Sequence, residues 1–211
     1  MGKSIQLTQV KPKSYIRLGF TIFLIVLAGK FVISNALPYF GFQKERLGSY
    51  WEDRWALIAH ISGGLLALAI GPFQFSKKFR NKFMTAHRWL GRIYLVAILV
   101  GTIASTYLAW TNSVKLNFSW AFGLQMLAVA WISTSAMAYL SVIRGRMLQH
   151  KEWMIRSYVV TFAFVTFRWL NDLPLAHQLM SKPEERAPTI VWLSWTLPLL
   201  IAEILLSWKK K

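Results

Sequence analysis

The sequence predicts an all-α membrane protein, a polytopic transmembrane helical bundle of about six spans with both termini in the cytoplasm. Three observations lead there. Of 211 residues, 55% are hydrophobic and only 16% charged, with a mean hydropathy of +0.39; a soluble domain carries roughly 25% charged residues. The apolar residues fall in long blocks, each near the roughly 20 residues needed to cross a hydrocarbon core of about 30 Å. The blocks are continuously apolar rather than alternating, which excludes a transmembrane β-barrel pattern.

In chain order the spans are placed at about residues 18–37, 54–75, 87–110, 118–143, 151–171 and 188–208. The first follows a basic stretch and ends near Ser34 and Ala36, at cleavage-like spacing. Lys30 interrupts its apolar run and five further spans follow it, so it is read as a retained helix. In the second, Gly63, Ala67 and Gly71 are spaced by four, a stripe that lets a neighbouring backbone approach closely. Pro174, Pro183 and Pro188 break the last loop. The whole chain, 1–211, reads as a single membrane domain.

Orientation follows from the Lys and Arg count in the short connecting segments. One side holds 17 of the 25: Lys3, Lys11, Lys13 and Arg17; Lys77, Lys78, Arg80, Lys82, Arg88 and Arg92; Arg144, Arg146, Lys151 and Arg156; and Lys209, Lys210 and Lys211. The other side holds Lys44, Arg46, Arg54, Lys115, Lys182 and Arg186. The richer side is assigned to the cytoplasm of a bacterial inner membrane, which places both termini there. Tryptophans agree: Trp51, Trp55, Trp110, Trp120, Trp169 and Trp192 fall at the outer ends, and Trp89, Trp153 and Trp208 at the inner ends, the levels amphipathic rings prefer.

The net charge of +17 sits at the ends of apolar blocks, where it meets anionic lipid headgroups. The partner it implies is the bilayer, with no nucleic acid. The absence of cysteine excludes disulfides, thiolate catalysis and iron–sulfur clusters. There is no HExxH, GxSxG, Walker loop or dinucleotide fingerprint, and no residue reads as catalytic.

Ionisable groups within a bilayer are costly and mark function by default. Here they are Lys30, His60, His87, His150 and Arg168, with Asn171 and Asp172 just beyond; Arg168 and Asp172 have i,i+4 spacing. His60 and His87 each have a glycine four residues on, Gly64 and Gly91, on the same helix face. Such a face leaves room for something flat beside the imidazole. His87 and His150 both open inner helix ends, with Arg88 and Arg156 near them. That arrangement suits one b-type haem, with iron between the imidazoles and the arginines on its propionates. His60 lies some 15 residues from the inner end of its span, about 22 Å along a helix, and cannot share that iron. Its neighbourhood, with Gly64, Lys30, Arg168 and Asp172, is instead a candidate binding site. The alternative for every one of these residues is packing, interhelical hydrogen bonding or a solvated basic rim.

The blocks His60-x-x-x-Gly64…Gly71-Pro-Phe-Gln-Phe75, Arg80…His87-Arg-x-x-Gly91-Arg-x-Tyr94 and His150-Lys-Glu-Trp-Met-Ile-Arg156-Ser-Tyr158 resemble a bacterial family of predicted membrane proteins, DUF2306, over roughly residues 55–175. The resemblance implies a multi-helix membrane protein and no particular activity. The histidine-plus-arginine helix starts also look like those of small b-type cytochromes. Two functions are therefore carried forward. One is a haem b or quinone-linked redox membrane protein, with a quinone or another membrane redox protein as partner. The other is a lipid- or amphiphile-binding protein or small transporter without a redox cofactor.

Overall fold

The structure is a computed structural model and describes residues 12–208. Lys3, Lys11, Lys209, Lys210 and Lys211 of the charge count lie outside the described residues, as do the side chains of Lys13 and Arg17. The described chain is helical nearly throughout: α1 (Pro12–Phe31), α2 (Lys44–Leu47), α3 (Arg54–Phe75), α4 (Lys77–Lys82), α5 (Met84–Thr111), α6 (Phe118–Ile143), α7 (Met147–Thr161), α8 (Ala163–Asn171), α9 (Pro174–Leu179) and α10 (Pro183–Trp208). A π-turn at Val32–Ala36 and a 3-10 turn at Leu37–Gly41 continue α1. Among the described residues, five helices are long and apolar enough to cross a membrane. Apolar side chains on their outer faces, such as Val96, Leu99 and Ile103 on α5 and Leu197, Leu200 and Ile204 on α10, are exposed, as a lipid-facing surface requires.

The sixth expected span, 151–171, differs. Its residues form α7 and α8, parted at Phe162. The cause is local. Val159, Val160 and Thr161 are β-branched in succession, and the Thr161 hydroxyl donates back to the Ser157 carbonyl at 2.9 Å, an interaction that bends helices. The last helix also starts earlier than expected, at Pro183 rather than residue 188, and runs through Pro188.

Neighbours in sequence pack as neighbours in space: α3 on α5, α5 on α6 and α6 on α7, with α10 against α6, α7 and α8. The turn from α6 into α7 carries the one glycine whose left-handed backbone matters, Gly145 at φ 70°. Gly145 N–H donates to Val142 O and Arg146 N–H to Ser141 O, the paired bonds that end a helix at a left-handed residue.

The small-residue stripe on α3 is used twice. A Cβ on Gly63 would sit 2.5 Å from the Ala97 carbonyl of α5, so the two backbones touch there. Gly71 instead lies under the Tyr158 ring of α7. Between them Ala67 is fully buried.

The tyrosine explains how α3 tolerates a proline. Pro72 has no N–H, so the Leu68 carbonyl four residues back loses its intrahelical donor. The Tyr158 hydroxyl donates to that carbonyl at 3.0 Å. Pro188 frees the Glu184 carbonyl in the same way, and Asn117 Nδ2 donates to it at 2.7 Å while Asn117 Oδ1 caps α6 at Trp120 N. Two helix-breaking residues are thus answered by side chains of other helices. Replacing Tyr158 with Phe is expected to lower stability in detergent by about 1 kcal/mol, because it orphans a carbonyl in an apolar setting. Adding Pro72→Ala should recover most of the loss by restoring the helix's own donor. Unfolding midpoints of the two variants check this.

A hydroxyl cluster joins α5, α6 and α7. Tyr94 Oη lies 2.8 Å from Ser157 Oγ and 3.1 Å from Thr161 Oγ1, Ser135 Oγ lies 2.8 Å from Ser157 Oγ, and Trp131 Nε1 donates to Thr161 Oγ1 at 2.8 Å. Ser135 passes its own proton to the Trp131 carbonyl at 2.7 Å. Tyr94, Ser135 and Ser157 are essentially without exposed surface. Every member has a partner, so the cluster fixes the helix register at little desolvation cost.

Candidate functional site

A cavity of about 200 Å³ opens inside the half of the bundle that the charge count assigns to the outside. Its walls come from α3, α5, α6, α7 and α8, and from the π-turn and 3-10 turn that follow α1. Most of the lining is apolar and aromatic, including Phe31, Trp120, Trp131, Phe164 and Phe167; among the described residues no acidic one contributes to it. Helical periodicity brings three of the singled-out residues here. His60 and Gly64, one turn apart on α3, both face the cavity, and Arg168 enters from α8.

His60 is held by its Nδ1, 2.9 Å from the Gly101 carbonyl of α5. A carbonyl only accepts, so Nδ1 carries the proton and the neutral ring presents Nε2 as an acceptor. The close contact of α3 and α5 makes the bond possible, since Gly101 and Gly63 both lack a side chain at that crossing. Edge-on contacts fix the ring, with centroids 5.5 Å from Phe164 and 6.5 Å from Trp131. Among the described residues Nε2 has no partner, and it is not sealed off, which leaves it to the cavity. A Cβ on Gly64 would meet nothing within 4 Å, so the space beside the imidazole that the spacing suggests is present.

Arg168 is half-buried, and its guanidinium makes no hydrogen bond or ion pair among the described residues. Asp172 is exposed and does not pair with it. Asn171 is engaged elsewhere, accepting from Arg186 Nε at 3.2 Å. The side chains of Asn35 and Tyr39 also line the cavity without a hydrogen bond among the described residues. Lys30 is outside it. Its Nζ rests 4.3 Å from the Trp169 ring centroid, and Trp169 Nε1 donates to Leu27 O at 3.3 Å, so the lysine finds a partner on another helix and helps dock α1 on α8.

The second histidine pair is arranged differently. His150 Nδ1 lies 2.9 Å from the Ala138 carbonyl, and His87 is within electrostatic range of His150, Arg80 and Arg88. Gly91, the counterpart of Gly64, does not open on free space: Gln74 of α3 comes within 3.5 Å of where its Cβ would be, and Gln74 Nε2 donates to His87 O at 3.4 Å. His87 Nδ1 is buried without a partner. Arg88 is exposed. Arg156 is committed: its Nε and Nη2 donate to the two oxygens of Glu203 at 2.9 and 3.0 Å, with Glu152 at 3.8 Å. Among the described residues no group of three or more His, Asp or Glu converges as a metal site.

Sequence reasoning missed Asn35, Tyr39 and the aromatic walls. Aromatic residues in an apolar span carry no signal of which way they face. Asn35, an amide inside an apolar run, did carry one, and it falls in a π-turn, a feature frequent at functional sites.

The fold and the cavity define a multi-pass helical membrane protein with a polar-headed internal chamber. The profile of a family described as "Predicted membrane protein (DUF2306)" matches residues 57–206. The chain belongs to that family, and the match contains α4 to α9 whole, all of α3 but its first turn and all of α10 but its last two residues. Neither curated proteins nor solved structures give a match.

Proposed function

We propose that the protein binds an amphiphile or lipid within the membrane, as a binding protein or small transporter, with the ligand's acceptor-bearing head at Arg168 and its apolar body among the aromatic walls. The observation that supports this is Arg168: a guanidinium without a protein partner in an apolar cavity. Such a charge is costly in a bilayer unless something accepts its hydrogen bonds, and a carboxylate, phosphate or carbonyl oxygen does so in the geometry a guanidinium favours. Asn35 and Tyr39 add further donors to the same cavity. The chain would work as one membrane domain, with α7 and α8 together supplying a sixth pass and with both ends in the cytoplasm of a bacterial inner membrane, in keeping with the basic-residue split.

Less supports a haem b between His87 and His150. Gln74 packs against Gly91 and donates to the His87 carbonyl, and Arg156, the expected propionate partner, is already neutralised by Glu203. These residues do not fit the group, and no redox step is assigned to them.

Mass spectrometry of the purified protein tests the proposal. An amphiphile carrying an acidic or carbonyl head should co-purify with the wild-type chain and fall by about tenfold or more with Arg168→Leu, the loss expected when a charged hydrogen bond is removed. Equal amounts of the same lipids on both proteins would overturn it.

A further inference from the structure

The cavity presents two kinds of free polar group. Arg168, Asn35 and Tyr39 offer donors, and His60 offers an acceptor. The assignment of His60 rests on geometry: Nδ1 must carry the proton because its partner is the Gly101 carbonyl, at 2.9 Å. Protonating Nε2 as well would place a cation deep in the membrane beside Phe164 and Trp131, in a chamber that already holds an uncompensated guanidinium; both features oppose a second charge.

Two hydroxyls of the cavity wall are spent elsewhere. Thr161 lines the cavity, but it donates to Ser157 O and accepts from Trp131 Nε1. Ser105 is likewise spent on Thr102 O, at 3.0 Å. The Nε2 lone pair therefore has no donor among the described residues.

The walls limit the ligand further. Phe164, whose ring centroid lies 5.5 Å from that of His60, and Arg168 are four residues apart on α8, about 6 Å of axial rise. The acceptor at His60 and the donor at Arg168 thus share one cavity with aromatic walls and the bare backbone of Gly64.

We propose that the amphiphile taken by this cavity carries a hydroxyl that donates to His60 Nε2 and an oxygen acceptor for Arg168: a phenolic or hydroquinone-type head on an apolar tail. A quinone of the same shape has two acceptors and no donor, so its second oxygen faces the His60 lone pair and is disfavoured. The site would then tell the reduced head from the oxidised one by hydrogen-bond polarity alone. This inference rests on the amphiphile-binding reading and sharpens it.

The test uses the full chain purified in detergent, with calorimetric titration under argon against empty micelles. Three decyl-substituted probes are compared: a hydroquinone, its quinone and its dimethyl ether. The hydroquinone is expected to bind about tenfold or more tightly than either of the others, the difference that one hydrogen bond to a buried acceptor makes. In His60→Phe the three should converge to the affinity of the quinone. Equal binding of all three to the wild type overturns this inference and leaves the amphiphile reading standing. Binding of none of them, with an acidic lipid co-purifying at Arg168, overturns it too and assigns the cavity to another head group. Should His60→Phe fail to fold, the dimethyl ether comparison on the wild-type chain decides alone.

Discussion

Gly63→Leu is expected to unfold the protein in detergent at markedly lower temperature, with a loss of at least about 3 kcal/mol, while Gly64→Leu leaves the unfolding temperature nearly unchanged and blocks the cavity. The two glycines are adjacent and chemically identical, and the difference lies wholly in what they face. A Cβ on Gly63 would sit 2.5 Å from Ala97 O and 3.0 Å from Gly101 N. Both are backbone atoms, which cannot turn aside as a side chain can, so α3 and α5 must separate along their whole contact. Overpacking a tight interior costs about 1–3 kcal/mol even where side chains can adjust. Helix association in lipid has little hydrophobic drive to offset that loss. Separation would also pull His60 from the Gly101 carbonyl, so ligand binding should fall with stability. At Gly64 nothing lies within 4 Å of the added atom, and the leucine instead occupies space meant for ligand. Thermal unfolding and ligand titration of both variants separate the two effects. Similar melting of both would show that α3 and α5 do not meet at Gly63.

Arg156→Leu should be more damaging than Arg156→Leu combined with Glu203→Leu. The guanidinium holds Glu203 through two hydrogen bonds, and its side chain is only 12% exposed. Glu203 lies within the last apolar helix. Removing the arginine strands a carboxylate among apolar groups. Breaking such a pair costs about 3–5 kcal/mol when fully buried, whereas replacing both partners with apolar residues is often neutral or better. With Glu203 half exposed, the single variant belongs near the lower end of that range, and the double variant should recover most of it. Urea or SDS unfolding of the set measures the coupling. A single variant as stable as wild type would return Arg156 to the role of a free cation at the membrane surface.

What the sequence made legible follows a physical division. The spans were readable because burial in lipid demands long apolar runs, and α3 and α6 lie where the runs place them, at Arg54–Phe75 and Phe118–Ile143. His60, Gly64 and Arg168 stood out because polar groups and paired glycines are expensive or unusual in such runs, and all three line one cavity. Lys30 and Asp172 stood out for the same reason, yet one lies on Trp169 and the other is exposed; cost identifies a residue that needs a partner, without saying which. The kink at Phe162 was hidden because it arises from one threonine bonding back to its own helix. The match of Tyr158 to the carbonyl freed by Pro72, 90 residues distant in order of bonding, required the fold. So did the pairing of Arg156 with Glu203, which turned an expected propionate anchor into a structural clamp.

The central claim is that the chamber between His60 and Arg168 holds a ligand. A density map of the wild-type protein in a lipid nanodisc, prepared without added ligand, tests it most directly. The account predicts an elongated non-protein feature within hydrogen-bond distance of the Arg168 guanidinium and reaching His60 Nε2 beside Gly64. A chamber closed by protein, with Arg168 paired to a carboxylate of the chain and His60 Nε2 bonded to a neighbouring side chain, would contradict it.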